Sequence, residues 1–366
     1  MTMAEKVLNG SEPILRTVKR DERSNRQILR LRIVAFLLAL VAGGLFIFLI
    51  GFNPFMVYGT IVSGVFRSKM AMQATVKIMI PILMASLGVT LAFKMKFWNI
   101  GAEGQIIMGA VFSSYFALFH ADWPHVILLI VMFIAGFLGG ALWGFIPAYF
   151  KSRFGTNETL LTLMLNYIAL HVISYLRDGP WKDPTSSGFP KIARFSVNAQ
   201  LGKVLGVQFG WIIALVMVVL VFVYIKYTKQ GYEISVVGES HATAKYAGMN
   251  VKRIVLRTML ISGGIAGLTG VIQSAGSDIT LATSVAGGVG FTAIIVAWLG
   301  GLNPLSILGI SFLFSVLEKG SSVMQSTYGL STYSAAVLQG IILFFILGTE
   351  FFIRYKFVVK TKGGTK

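Results

Sequence analysis

No cysteine occurs in the 366 residues, which excludes disulfides, thiolate metal sites, a cysteine nucleophile and a lipid-modified cysteine. Acid is scarce as well, with 14 Asp and Glu against 32 Lys and Arg. The four histidines, His120, His125, His171 and His241, are scattered, and no His/acid set has a metal-ligand spacing, so no metal is expected. A Gly-x-x-x-x-Gly-Lys-Ser/Thr loop is missing, so any ATP used must be bound by another chain. Gly288-Val-Gly290-Phe-Thr-Ala293 has the spacing of a nucleotide fingerprint, but no βαβ unit surrounds it and a membrane-type run follows. With no serine or carboxylate set recognisable as an intramembrane hydrolase, the chain is not expected to be an enzyme.

Charge is low overall: 55% of residues are hydrophobic and 13% charged, where a soluble domain carries about 25% charged. The composition predicts an all-α, polytopic membrane bundle. Apolar runs lie at about 33–52, 75–93, 105–119, 125–150, 158–176, 210–226, 255–275, 287–299, 303–318 and 332–353, giving about ten expected transmembrane segments. Several fall short of the ~20 residues a perpendicular helix needs, so tilted, broken or re-entrant pieces are expected among them. The basic arm 1–32 precedes a run too long for a signal-peptide core and without a small-x-small cleavage site. Such an arm can grip anionic lipid or nucleic acid, and most commonly it orients the first helix. With ten crossings, 23 of the 32 basic residues fall in segments assigned to one side, including the arm, 226–257 and the tail 354–366. This asymmetry places both termini in the cytoplasm, with 33–353 as the membrane domain in the cell (plasma or inner) membrane. It also accounts for much of the +18 charge without a polyanionic ligand, so lipid and not nucleic acid is the expected partner.

Within this frame, residues 94–105 place Asn99, Glu103 and Gln105, with Gly101 and Gly104, among the apolar runs. A carboxylate and two amides there are costly unless they face protein, water or a ligand. Two readings remain: a broken or re-entrant helix exposing backbone to a pathway, or a short cytoplasmic turn. The external loop 177–209, with Gly179-Pro180, Asp183-Pro184 and Pro190, is predicted to be irregular, and 53–74 forms the other sizeable outward segment. Gly136, Gly140 and Gly144 align on one helix face and Gly263 and Gly267 repeat the spacing, predicting close helix contacts within the chain or between two chains. In the loop 227–254, Ser240 as N-cap and Gly248 as C′ residue bracket a helix of about two turns. Ala242, Ala244, Tyr246 and Ala247 offer small, partly apolar surface. Such a helix either enters a groove on a cytoplasmic partner or lies on the membrane or its own bundle.

Asn99-Ile-Gly-Ala-Glu-Gly-Gln105 resembles the signature of permease subunits of ABC importers in the branched-chain amino acid and simple-sugar permease superfamily, in its nucleoside branch. Phe154-Gly-Thr-Asn-Glu158 leading to Leu163-Met-Leu-Asn-Tyr-Ile168, then Gly238-Glu239 through Tyr246-Ala-Gly248, and Gly290-Phe-Thr-Ala-Ile294 followed by Leu302-Asn-Pro304 agree in order and spacing. The chain departs from the pattern at Lys96 and Trp98, where a small residue and Phe are usual.

The resemblance implies a membrane permease paired with a second, different permease chain, two ABC ATPase modules that bind ATP and Mg, and an external substrate-binding protein or lipoprotein. Gly238, Glu239, Ser240, Ala242, Ala244, Tyr246, Ala247 and Gly248 then form the ATPase-coupling surface, and Gly101 and Gly104 belong to the translocation path. For a nucleoside, which has a flat π face and several hydroxyls, Phe97, Trp98, Asn99, Glu103, Gln105, Asn166 and Gln273 are the candidate path residues. A simple sugar or a branched-chain amino acid is the alternative cargo. An ion-coupled secondary transporter is the alternative of another class, with Glu103, Asp278 and Glu318 as ion-coupling candidates, the latter two expected near helix ends at the outer surface.

Overall fold

The structure is a computed structural model that describes residues 15–19, 25–329 and 332–359. In chain order its helices are α1 (Asn25–Leu49), α2 (Pro54–Phe66), α3 (Lys69–Lys94), α4 (Ala102–Phe119), α5 (His125–Phe154), α6 (Glu158–Asp178), α7 (Gly210–Tyr227), α8 (Lys229–Glu239), α9 (His241–Tyr246), α10 (Val251–Ile272), α11 (Val289–Leu299), α12 (Pro304–Tyr328) and α13 (Thr332–Arg354). A π-helical turn, Gln273–Asp278, continues α10. Among the described residues strand forms two short antiparallel pairs: β1 (Leu15–Lys19) with β4 (Tyr355–Val359), and β2 (Lys203–Val204) with β3 (Val207–Gln208).

Local sequence explains where the helices start and stop. The Ser68 hydroxyl accepts from Ala71 N at 3.1 Å, and the Asn157, Asn250 and Asn303 side chains accept in the same way at the starts of α6, α10 and α12. Gly155, at φ 69°, ends α5 in the left-handed region. The Phe154–Glu158 stretch is therefore a stop followed by a start, closed by a 2.8 Å Lys151–Glu158 ion pair.

Two compact units make up the chain, one of residues 1–59 with 324–366 and one of residues 60–323. In the first, α1 packs along α13, and β1 of the arm pairs with β4 after α13. In the second, α3, α4, α5 and α10 form the core, α11 lies against α3, and α6 flanks α4. The glycine faces of α5 and α10 meet each other inside this unit. A Cβ on Gly140 would stand 2.2 Å from the Gly263 carbonyl oxygen, and one on Gly267 2.2 Å from that of Gly136. Gly109 of α4 joins them, its Cβ position 2.3 Å from Gly267 Cα. The expected glycine contact is thus within the chain.

The expected count of about ten segments is not confirmed. Among the described residues seven helices are long and apolar enough to cross a membrane, or eight if a bent pair counts as one span. That pair, Ile33–Leu49 with Pro54–Phe66, bends by 113° at Asn53-Pro54, so 54–66 is helix where a loop was expected. The run 287–299 yields only the eleven residues of α11, because Gly287 and Gly288 at φ 54° and 84° interrupt it. Loop 177–209 is largely irregular, as its turn residues predict. It docks on the π-turn region through Leu201 N to Ala275 O at 2.9 Å and Phe195 N to Ile279 O at 3.0 Å.

Candidate functional site

Between α3 and α4 the helix breaks over Met95–Gly101, and the polar residues of the break are hydrogen-bonded to one another. Asn99 and Gln105 form a reciprocal amide pair, Asn99 Nδ2 to Gln105 Oε1 at 3.2 Å and Gln105 Nε2 to Asn99 Oδ1 at 3.1 Å. Asn99 Oδ1 also accepts from Gly101 N at 3.0 Å. From α6, Asn166 takes both backbone groups left open by the break. Its Oδ1 accepts from Gly104 N at 2.8 Å and its Nδ2 donates to the Ile100 carbonyl at 2.9 Å. Thr162, one turn earlier, accepts from Ile100 N at 3.2 Å. Asn99, Gln105 and Asn166 are buried, so these bonds meet a requirement that water does not. Of the two readings of 94–105, the structure shows the broken helix.

Glu103 reaches outward from the first turn of α4 to a different helix. Its Oε1 accepts from Gly288 N and its Oε2 from Gly290 N, both at 2.7 Å. Those amides are orphan donors at the start of α11, where a carboxylate satisfies the backbone and complements the helix dipole together. The geometry demands glycine twice. Gly288 holds φ 84°, and a Cβ on Gly290 would stand 2.3 Å from Glu103 N. The stretch that mimics a nucleotide fingerprint is in fact the seat of this carboxylate.

The α11 start is also a wall of a cavity of about 400 Å³, in the ~300–1,000 Å³ range of small-molecule sites. Gly287 and Val289 line it with Gln273, Lys77, Glu318 and Lys319. Gln273 Nε2 donates to Asp278 Oδ1 at 3.2 Å. Glu318 was expected near a helix end, but it lies well inside α12 and faces this cavity. Asp278 ends the π-turn as expected of a helix end, and lines a second cavity of about 580 Å³ with Arg177 at the end of α6 and Asp183 and Arg194 of the loop that follows. Beside it, hydrogen bonds from the Thr185 hydroxyl and backbone hold the Asp183 carboxyl below the usual carboxylate range. Lys77 entered the sequence reading only as part of the charge count. A lysine eight residues inside a spanning helix is the signal that singles it out.

The two aromatic candidates leave the polar cluster in opposite directions. Trp98 is 49% exposed and stacks on Trp298 with ring centres 5.7 Å apart, with Phe93 alongside. Phe97 is buried in a core with Met95, Ile234, Val237, Ala244 and Met259. Lys96 between them holds φ 57°, a left-handed position that costs any residue with a Cβ and favours glycine.

That core joins the break to α8 and α9. Ser240 caps α9 through a 3.2 Å bond from Thr243 N, and Gly248 at φ 74° follows its end, as the sequence predicts. Gly238 lies against α3, its Cβ position 1.9 Å from the Lys94 carbonyl oxygen. Ala244 is not on the outward surface expected of it: it is 0% exposed in the Phe97 core. Its i+2 neighbour Tyr246 is 97% exposed, and Glu239, Ala242, Ala247 and Gly248 are exposed with it, while Ser240 is half-buried.

Apolar helices around a broken, internally bonded polar centre define a multi-pass membrane protein of the transporter kind. Residues 70–347 match the family described as branched-chain amino acid transport system / permease component, and the chain belongs to that family. Its relatives include the glucose ABC transporter permease protein TsgB13 of Haloferax volcanii, 31% identical over 88% of this chain and 88% of that protein. The nucleoside ABC transporter permease protein NupB of Lactococcus lactis is 30% identical over 86% of this chain and 89% of its own length. The guanosine ABC transporter permease protein NupP of Bacillus subtilis is 29% identical over 88% and 94%.

Proposed function

We propose that this chain is the permease subunit of an ATP-driven importer for nucleosides, with both termini in the cytoplasm. The observation that carries the reading is the near full-length similarity to NupB and NupP, whose names give nucleoside and guanosine as cargo. A sugar is the second reading, favoured by the similarity to TsgB13. ATP and Mg are assigned to a separate ABC ATPase, and an external binding protein supplies the cargo. The pairing with a second, different permease is supported by the presence of both NupP and NupQ of Bacillus subtilis among the relatives.

Geometry supports a route for coupling. An ATPase groove that receives Tyr246 and its exposed neighbours moves α9, and α9 carries Ala244 in the same core as Phe97. Phe97 lies two residues before Asn99, where the bonded break leads to Glu103 and through it to α11 at the cavity wall. Two discrete arrangements of α11 about the Glu103 carboxylate are then enough for alternating access.

The cargo is tested by uptake of labelled purine and pyrimidine nucleosides, ribose, glucose and leucine in cells with and without the gene. Loss of nucleoside uptake alone on deletion supports the reading. Loss of sugar or leucine uptake alone keeps the machine and replaces the cargo. For the coupling surface, Tyr246→Glu is expected to reduce ATPase co-purification or cargo-stimulated ATP hydrolysis while leaving the chain's melting temperature unchanged, since the side chain touches nothing of its own fold. An intact complex with normal stimulated hydrolysis would contradict that surface.

A further inference from the structure

A groove of about 660 Å³ runs between α5 and α10 in the 60–323 unit. Phe137, Phe145, Leu256, Leu260 and Ile261 give it apolar walls. The Phe137 ring is pressed against Gly264, whose Cβ position lies 2.3 Å from it, so the floor is fixed by backbone. At one end the character changes within a single helical turn, where Lys252, Arg253 and Arg257 line the same groove.

Two of these cations are available to a ligand, while Arg257 is held by Glu233. Lys252 and Arg253 are exposed, and among the described residues no carboxylate pairs with either. Arg257 donates through Nη2 to Glu233 at 2.9 Å and leaves Nε buried without a hydrogen-bond partner. From Arg253 to Leu260 is about 10 Å at 1.5 Å per residue, so the charges sit at the α9 end of a spanning helix and the apolar wall lies toward its middle. A phosphate at the mouth and hydrocarbon along the wall match this order of chemistry.

We propose that the α5–α10 groove is a binding site for an anionic phospholipid of the leaflet on the α9 side, with its phosphate held by Lys252 and Arg253 and an acyl chain against Phe137, Phe145 and Leu260. Charge complementarity selects this occupant: a neutral-faced partner helix gains nothing from two unpaired cations at one end, and a zwitterionic lipid gains less than an anionic one. The inference rests on the chain lying in a membrane and not on its cargo, so failure of the nucleoside reading leaves it standing.

The test is native mass spectrometry of the purified full-length chain, titrated with phosphatidylglycerol and with phosphatidylcholine of the same acyl chains. Phosphatidylglycerol is expected to stay bound at collision energies that strip phosphatidylcholine. The double variant Lys252→Gln with Arg253→Gln should weaken its retention by roughly thirtyfold, since each basic side chain near an anionic surface contributes about fivefold. Lys252→Arg should retain it, which separates lost charge from lost fold. Equal retention of the two lipids, or unchanged retention in the double variant, would overturn the site. So would a photoreactive residue at Leu260 that labels a protein chain in place of lipid in the assembled transporter, which would make the groove a subunit interface.

Discussion

Glu103→Gln is expected to lower transport by roughly tenfold or more while the chain still inserts and assembles, tenfold corresponding to about 1.4 kcal/mol. The carboxylate accepts two backbone N–H groups, one at each oxygen, at 2.7 Å. An amide retains one acceptor and turns its NH₂ toward the other donor, so one charge-assisted bond, in general about 1.5–3 kcal/mol, becomes a contact between donors. Alanine removes both bonds and should be worse. Gly290→Ala reaches the same contact from the other side, because its methyl group would stand 2.3 Å from Glu103 N. Uptake measured against surface expression decides the matter. Unchanged uptake in Glu103→Gln at normal expression would remove the carboxylate from the mechanism.

The second large effect belongs to packing. Gly267→Val is expected to prevent recovery of folded protein, because its Cβ would meet the Gly136 carbonyl oxygen at 2.2 Å and Gly140 Cα at 2.9 Å. Overfilling a core costs about 1–3 kcal/mol when side chains can yield. Here the obstacles are backbone on α5, and relief requires α10 to move away from it and from α4. Gly309→Ala on α12, with nothing within 4 Å of its Cβ position, is the matched control and should melt like the parent. Purification yield and thermal unfolding in detergent compare the two. A Gly267→Val protein of parental yield and melting temperature would mean that the α5–α10 contact is looser than described.

Features set by local chemistry were legible from the chain alone. The Ser240 and Gly248 brackets of α9 and the glycine spacing on α5 and α10 follow from caps and periodicity, and the structure shows them in place. The polar break at 94–105 was legible as a cluster, but not its internal bonding. Whether Asn99 faces Gln105 or a ligand depends on how the break closes, and Asn166 lies more than sixty residues away in sequence. The Glu103 contact is harder still, spanning 185 residues to Gly288. Its sequence trace was visible, as paired glycines before an apolar run, but carried no partner. Ala244 and Tyr246 differ by two positions and by the whole range of exposure, which hydrophobicity on a six-residue helix does not resolve. Two of the ten apolar runs are not simple spans, because apolar length says nothing of the bend at Asn53-Pro54 or the left-handed glycines before α11.

Most direct is the measurement of what drives transport. The complex proposed for this chain, with a second permease and an ATPase, in liposomes with ATP on the α9 side and a binding protein on the other, is offered labelled guanosine. Accumulation on the α9 side that requires ATP hydrolysis, survives collapse of the proton gradient and falls in Glu103→Gln is the result expected here. Accumulation that follows an imposed ion gradient without ATP would contradict the account and make Glu103 an ion site.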